Sequence, residues 1–220
     1  SIIPCIYCGL GHSQPRPTEE SIGQLYESKN HDRSMLSRRD FDPDKSRIFS
    51  TLKYIVTKRQ IAKLFRNLNV NRVVDYGTGN GRYANQINAL LGVNVCAVDY
   101  QNLRPAKLRD EVEYLTSNQF FAQNETYDVI FLRHVLEHSH DPIRLLRLLA
   151  LKLGDNGRII LEVPNFDSTF RKIFKKSWVG NYLPRHLHHF TGQSLELAIR
   201  EAGLSGSIEM AEMPLMGNQL

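Results

Sequence analysis

A glycine-rich loop is the first segment whose residue types and spacing suggest chemistry. Gly77, Gly79 and Gly81 alternate with other residues shortly after Asp75, between a predicted strand and a predicted helix. Glycine is needed where a ligand lies against the backbone, because a Cβ would collide with it and because some φ angles there are positive. Backbone N–H groups at the start of a helix can bind a carboxylate or a phosphate. The loop therefore predicts a site for a small charged ligand.

An acidic residue in the next predicted strand extends this pattern. Asp99 follows the loop by about 20 residues and ends that strand, where an acid can accept hydrogen bonds from both hydroxyls of a ribose. The dinucleotide-binding fingerprint requires glycine three positions after its second glycine, and this chain has Arg82 there. Arg82 therefore argues against an NAD-dependent dehydrogenase, which stays an alternative.

Histidines are concentrated in two later segments. These are His134, His138, His186, His188 and His189. His134, Glu137 and His138 are spaced so that a helical turn would bring them to one face. Imidazole is the side chain best suited to remove a proton from a hydroxyl near neutral pH. We expect a general base among these residues and rank His134 first, His138 second and His186 third; the alternative is that they stabilise loops.

The amino-terminal segment contains a cysteine pair. Cys5 and Cys8 form a C-x-x-C motif that is followed by Gly9. A tetrahedral zinc site needs four ligands, so the pair is half of a site, with His12 a poor third ligand. We expect zinc only if another cysteine pair precedes this segment. Together with Cys96, the pair also makes no disulfide framework, which agrees with a reducing compartment.

Alternating strands and helices must position these residues. Helical spacing of apolar residues is predicted from 44 to 69, for 83–91 and 142–153, and again from 194. Apolar runs predict strands at 72–76, 93–98, 112–115, 127–132 and 158–163, with a turn at 154–157. Such alternation predicts an α/β fold with a Rossmann-like, doubly wound, mostly parallel sheet. The first 16 residues have little periodicity and are interpreted as an irregular knuckle, followed by a helix that begins near Thr18.

Composition sets the remaining expectations. The chain has 220 residues, 41% of them hydrophobic, and a net charge of +5 that is spread along its length. No apolar run approaches the roughly 18 residues of a membrane span, so we expect a cytoplasmic protein. We expect an amino-terminal knuckle and helical extension over 1–43 and the main domain over 44–220. After the last predicted helix only 207–213 offers a strand, so we expect that domain to lack its last strands or the natural protein to be longer.

Read together, these motifs resemble the class I S-adenosylmethionine (SAM)-dependent methyltransferases. The likeness is greatest to the subgroup with Leu-Glu-His after the fourth strand, which includes the ubiquinone-type O-methyltransferases. The matching segments are 73–82, 98–99, 127–130, 134–138, 141–142, 157–165 and 184–191. They follow one another in the order that the family has, between about residues 70 and 205.

The resemblance implies that SAM is the cofactor. Asp75, Gly77 and Gly79 would line its methionine part, and Asp99 would bind its ribose. The remaining implied contacts are Ser117 or Asn118 for the adenine, and Leu132 and Arg133 beside the cofactor beneath the transfer site.

The resemblance also bears on metals. Some quinone-type relatives bind a divalent ion with the trio that corresponds to His134, Glu137 and His138, but the first member of their trio is acidic. The histidine at that position argues against the same ion site here. The cysteine pair resembles the second half of a zinc knuckle that related proteins carry ahead of the methyltransferase domain.

The expected function is therefore transfer of a methyl group from SAM to a small molecule. The acceptor would be a hydroxyl of a metabolite, a sugar or a quinone-like compound. Enzymes that methylate base amines resemble one another in an Asn/Asp-Pro-Pro-aromatic tetrad after the fourth strand, and this chain has Leu132-Arg133-His134-Val135 there. Nucleic acid is thus not the expected partner, although methylation of RNA or tRNA stays an alternative, as does a non-catalytic SAM-binding interaction module.

Overall fold

The chain forms two compact units. A computed structural model describes residues 1–21, 47–66 and 68–209. The first unit, here called the sheet unit, contains the described residues of 47–131 together with 153–158. The second, here called the histidine unit, contains residues 1–21, 132–152 and 159–209. The amino-terminal residues therefore cluster with the second half of the chain. The expected domain boundary at 43/44 lies outside the described residues.

A five-stranded sheet runs in the order β5-β4-β3-β6-β7. Its strands are β3 (Arg72–Tyr76), β4 (Asn94–Asp99), β5 (Glu113–Thr116), β6 (Tyr127–Arg133) and β7 (Leu153–Glu162). Strands β3 and β4 are parallel, with Asp75 opposite Ala97, and β4 and β5 are parallel, with Asp99 opposite Thr116. The strand order reverses at β3, as it does in doubly wound folds. The predicted α/β class is confirmed.

Burial explains why these runs form central strands. Val73 and Val74 in β3 are completely buried, as are Ala97 and Val98 in β4. Consecutive buried residues are typical of parallel strands that are covered on both faces. One cover in the sheet unit is the helix that follows the glycine loop, whose Tyr83 is buried.

Six α-helices are described. They are α1 (Arg47–Leu64), α2 (Arg82–Leu91), α3 (Ser117–Ala122), α4 (Pro142–Ala150), α5 (Thr169–Phe174) and α6 (Gly192–Glu201). The predicted turn at 154–157 was wrong, because β7 already begins at Leu153. Gly157 lies so close to β6 that a Cβ there would be 2.9 Å from the carbonyl oxygen of Tyr127. That glycine permits a close strand contact.

The histidine unit contains a small antiparallel sheet. Strand β1 (Ile2–Pro4) pairs with β2 (Gly11–Ser13), and β2 pairs with β8 (His188–His189). The segment interpreted as an irregular knuckle is thus a hairpin. Leu136, Leu146 and Phe190 form the core of this unit.

Several expectations fall at the edges of the described residues. The helix predicted near Thr18 begins as expected, since the Ser21 N–H donates to Thr18 Oγ1 at 3.2 Å and Ser21 Oγ accepts from the Thr18 N–H at 2.9 Å. Its continuation lies outside those residues. Residues 207–209 have no strand, and 210–213 are not among the described residues. In the part of the chain that is described, no helix has the length and apolarity to cross a bilayer.

Candidate functional site

The glycine loop is a tight backbone turn between β3 and α2. Gly77, Gly79 and Gly81 have φ angles of 79°, 56° and 76°, in the left-handed region that favours glycine. The N–H groups of Gly77 and Thr78 both donate to the Val98 carbonyl oxygen, at 2.7 and 3.0 Å. These bonds fix the first part of the loop against the end of β4.

Two buried carboxylates organise this loop. Asp75 Oδ2 accepts a hydrogen bond from Thr78 Oγ1 at 2.8 Å. Asp99 Oδ2 accepts from the Gly79 N–H, and its Oδ1 accepts from the Tyr100 N–H, both at 2.8 Å. A carboxylate has about four lone-pair positions, so Asp99 can hold the loop and still accept hydrogen bonds from a ligand.

Two glycines of the loop have different roles. A Cβ on Gly79 would find no atom within 4 Å, so the backbone there faces open space. A Cβ on Gly81 would lie 2.6 Å from Leu108 Cδ1. Gly79 is thus exposed to solvent, whereas packing against Leu108 requires glycine at position 81. Leu108 was not identified from the sequence, because no local pattern links it to the loop.

The predicted adenine contacts lie at the start of α3. Thr116, which is opposite Asp99, caps this helix by accepting a hydrogen bond from the Gln119 N–H. Ser117 is partly buried, and its side chain hydrogen-bonds to Tyr76 at the end of β3. Asn118 is exposed. Ser117 therefore lies beside the strand ends that carry the glycine loop, and Asn118 points to solvent.

The cofactor contacts predicted at the end of the fourth strand are the last two residues of β6, Leu132 and Arg133. Leu132 is buried and Arg133 is half-buried. The next residue, His134, has a φ of 54°, and its N–H donates to the Glu162 carbonyl oxygen at 2.9 Å. A non-glycine residue in this region of φ is uncommon and is often found at functional sites.

His134 lies between two carboxylates. Its Nδ1 is 3.3 Å from Glu137 Oε1, and its Nε2 is 3.4 Å from Glu162 Oε1. Burial opposes the charged ring, but the hydrogen bonds to both carboxylates outweigh burial and raise the pKa of His134 to about 9. A ring that donates hydrogen bonds from both nitrogens has no lone pair with which to accept a proton. The geometry therefore argues against His134 as the first choice of base.

Glu137, His138 and His186 form a compact group, here called the buried triad. The Glu137 side chain is 1% exposed, and its Oε1 lies 3.8 Å from His186 Nε2. The rings of His138 and His186 meet edge to face with centroids 4.7 Å apart. The ligand atoms of all three side chains lie within 4.8 Å of one another. The sequence placed His138 beside Glu137, but only the fold brings His186 to them.

Backbone carbonyls orient both imidazoles of the triad. His138 Nδ1 is 3.0 Å from the Arg185 carbonyl oxygen, and His186 Nδ1 is 2.8 Å from that of Gly180. A carbonyl only accepts, so both Nδ1 atoms carry the proton and each Nε2 carries the lone pair. Burial lowers the pKa of His138 and lowers that of His186 to about 4. Both rings are therefore neutral at neutral pH.

The other two histidines of this segment have structural contacts. His189 Nε2 lies 3.0 Å from Ser13 Oγ, and His188 Nε2 lies 3.3 Å from the Arg16 guanidinium. Ser13 Oγ also donates to the His186 carbonyl oxygen at 2.5 Å. The amino-terminal hairpin thus holds the backbone of a triad residue. No sequence signal pointed to Ser13, because the contact joins residues that are far apart in the chain.

The cysteine pair lies in the turn of that hairpin. The backbone N–H groups of Cys8 and Tyr7 donate to the Cys5 thiol and lower its pKa. Both cysteines are free. Within the described ranges, no third histidine, cysteine or acid joins them in a metal-sized group, so His12 does not complete the site there.

A family model described as a methyltransferase domain matches residues 48–206. The chain belongs to this methyltransferase domain family. The match includes the glycine loop and the buried triad but excludes the amino-terminal hairpin. The resemblance inferred from the motifs is thereby confirmed.

Curated relatives match over part of their length. The chain is 30% identical over 148 residues to a ubiquinone biosynthesis O-methyltransferase of Cereibacter sphaeroides, which covers 60% of this chain and 60% of that protein. It is 28% identical over 156 residues to the protein of the same name from Xanthomonas oryzae, covering 66% and 63% respectively. The chain therefore spans about three fifths of the length of these relatives.

Solved structures share the fold. The 1,6-didemethyltoxoflavin-N1-methyltransferase of Burkholderia thailandensis superposes with a TM-score of 0.57 at 16% identity, over 91% of this chain and 83% of that one. Human N-acetylserotonin methyltransferase superposes with a TM-score of 0.55 at 16% identity, over 71% and 48%. The first was solved with S-adenosylhomocysteine and the second with SAM.

Proposed function

We propose that this protein is a SAM-dependent methyltransferase that transfers a methyl group to a hydroxyl of a small molecule. The observation that carries the proposal is the glycine loop, in which Asp99 holds the Gly79 N–H at 2.8 Å. Membership of the methyltransferase domain family supports the reaction. The relatives named for ubiquinone biosynthesis are O-methyltransferases, which supports an oxygen acceptor.

The residues of the loop fit SAM. Gly79 leaves open space where any other residue would have a Cβ, as a cofactor in contact with the backbone requires. Asp99 is buried, and its two oxygens keep lone pairs for the ribose hydroxyls. Asp75 supplies a second negative charge beside the same loop, suited to the cationic amine of the methionine part. Ser117 is the candidate for the adenine.

We assign activation of the acceptor hydroxyl to the buried triad. SAM, when bound, supplies a sulfonium methyl that is transferred in line to a nucleophile, so the protein must align the acceptor and promote loss of its proton. His134 cannot take that proton while it donates to Glu137 and Glu162. The triad has two neutral imidazoles with Nε2 lone pairs and one carboxylate, and is better suited to this role.

The acceptor class is tested by following labelled methyl groups. We expect the purified chain to bind SAM and its demethylated product in calorimetry. With radiolabelled SAM and a metabolite extract, label should appear in the small-molecule fraction. Label in RNA that is lost on ribonuclease treatment would favour the RNA methyltransferase alternative. Binding without transfer to any fraction would favour the non-catalytic module.

The assignment to the triad is tested with two single variants. We expect His186→Ala to lower turnover about 100-fold or more, within the range for a lost proton-transfer group, while SAM affinity stays constant. His134→Ala should lower turnover less. The opposite ranking would return the role to His134. The location of the protein in the cytoplasm stays a prediction from the sequence.

A further inference from the structure

One oxygen of the buried triad has no hydrogen-bond partner among the described residues. It is Glu137 Oε2, which is buried. Its other oxygen, Oε1, is near both His134 and His186. Buried polar atoms are nearly always paired, and an exception calls for an explanation such as a missing ion. The lone oxygen belongs to a carboxylate that already lies between imidazoles.

The two imidazoles of the triad are prepared as ligands. A metal-binding histidine usually donates its other ring N–H to a carbonyl or carboxylate, which fixes the ring and its tautomer. His138 and His186 do this with the carbonyl oxygens of Arg185 and Gly180. Their Nε2 atoms therefore carry the lone pairs that a metal ion requires.

We propose that the buried triad binds one divalent transition-metal ion through the Glu137 carboxylate and the Nε2 atoms of His138 and His186. The ligand atoms of the three side chains lie within 4.8 Å of one another, so the group is of a size that could hold one metal ion. His134 is not a ligand, because both its nitrogens donate to carboxylates. The third ligand is therefore His186, in the 180–189 segment, and not His134, the residue that follows β6.

The donor set selects the class of metal. Two imidazoles and one carboxylate suit Zn²⁺ and similar transition metals, whereas Mg²⁺ and Ca²⁺ prefer oxygen ligands. Three protein ligands leave a coordination position for another group. If the proposed function holds, an ion there would take over activation of the acceptor hydroxyl from the imidazoles, whose Nε2 atoms would then be metal ligands. It would orient the hydroxyl and lower its pKa, so that the proton could leave to solvent. Binding of the ion itself does not depend on that function.

The test uses Co²⁺ as a visible probe for Zn²⁺. The cysteine pair would also bind these ions, so all proteins carry Cys5→Ser and Cys8→Ser. After removal of metal by a chelator, we expect one Co²⁺ per chain to give visible d–d absorption bands, which Zn²⁺ abolishes and Mg²⁺ does not. Glu137→Gln and His186→Gln should each weaken Co²⁺ binding at least about tenfold.

A matched histidine variant serves as the control. His12→Gln also removes an imidazole from the histidine unit, but outside the triad, and should leave Co²⁺ affinity unchanged. Circular dichroism of the metal-free proteins checks that each variant folds. If His186→Gln does not fold, nitrogen NMR of the parent replaces it: Zn²⁺ should shift Nε2 of His138 and His186 while Nδ1 keeps its proton.

Three results would overturn the proposal. They are absence of stoichiometric Co²⁺ binding in the parent, undiminished binding in folded His186→Gln, and loss of binding in His134→Ala as large as in Glu137→Gln. SAM titration of the same samples separates the two proposals. Failure to bind metal with SAM binding intact contradicts only the ion site, and the reverse result contradicts only the proposed function.

Discussion

The glycine loop and the buried triad use their polar groups in opposite ways. In the loop, both oxygens of Asp99 and the Oδ2 atom of Asp75 accept hydrogen bonds from the loop or its flanks. In the triad, Glu137 Oε2 is buried with no hydrogen-bond partner in the described part of the chain, and the Nε2 atoms of two imidazoles carry lone pairs. The loop is therefore a preformed backbone surface. The triad is the group for which we propose a bound ion.

The two sites also differ in how the chain builds them. The loop and its carboxylates come from residues 75–99, whereas the triad joins residues 137–138 to the 180–189 segment, which the amino-terminal hairpin then holds. Changes at the loop should consequently act on SAM affinity and changes at the triad on turnover. Substitutions in each site test that division.

The largest effect is expected for Gly79→Val. Valine would put a branched side chain into the open space beside the loop and would occupy a positive φ, which costs about 1–2 kcal/mol per residue. We expect no measurable SAM binding by calorimetry from a protein that circular dichroism shows to be folded.

Gly92→Val separates strain from obstruction of the cofactor. Gly92 has a φ of 65° and, like Gly79, open space around a Cβ, but it lies at the carboxyl end of α2. The Gly92→Val protein should lose a similar amount of stability and still bind SAM. Normal SAM binding by Gly79→Val would mean that the loop is only a structural turn.

The next largest effect is expected when one of the two carboxylates that contact His134 is neutralised. Glu137→Gln removes the charge at the centre of the triad, and we expect turnover to fall about 100-fold or more with SAM affinity unchanged. Glu162→Gln removes only the outer partner of His134 and should change turnover less than about tenfold. Steady-state kinetics with an identified acceptor decides between them, and equal losses would implicate His134 instead of the triad.

The contrast between the sites explains what the sequence could predict. The loop residues Gly77, Gly79 and Asp99 were identified because local spacing encodes a strand-turn-helix unit and the following strand. The strands of the α/β pattern were likewise predicted within one or two residues at most ends, because buried parallel strands have a plain apolar signal. The exception is β7, where Gly157 was interpreted as part of a turn.

The triad was only partly predictable for a physical reason. His138 and His186 were each candidates, but they are separated by 47 residues. Nothing in the sequence indicates that the fold brings their ring centroids to 4.7 Å. Ranking His134 first relied on its position after a strand, and Glu162, its second partner, has no local link to it. Contacts between residues that are far apart in the sequence determine which histidine has a nitrogen lone pair available to accept a proton.

A smaller effect is expected for Asp99→Ala. Loss of the acceptor for buried ribose hydroxyls should raise the SAM dissociation constant by tens of fold, or about 2–3 kcal/mol. Asp128→Ala is the control, because Asp128 Oδ2 also accepts two backbone N–H groups, those of Asn71 and Arg72, but at the start of β3. If Asp128→Ala weakens SAM binding as much as Asp99→Ala does, then Asp99 contributes to stability and not to ribose binding.

The smallest effect is expected for Ser13→Ala, which tests whether the amino-terminal hairpin positions the triad. Ser13 is buried, and its hydroxyl holds the His186 carbonyl oxygen and contacts His189 Nε2. Loss of about 1 kcal/mol of hydrogen bonding should lower kcat roughly threefold to tenfold, while SAM affinity stays constant because the loop lies in the other unit.

Ser194→Ala is the control for this last variant. Ser194 is also buried in the histidine unit, but its hydroxyl bonds to Thr191 at the start of α6 and contacts no triad residue. Both variants should lose similar amounts of thermal stability, and only Ser13→Ala should slow turnover. If Ser194→Ala slows turnover equally, the hairpin contributes stability alone. If Ser13→Ala lowers kcat and leaves KM unchanged, the hairpin, although outside the family match, is part of the catalytic half of the molecule.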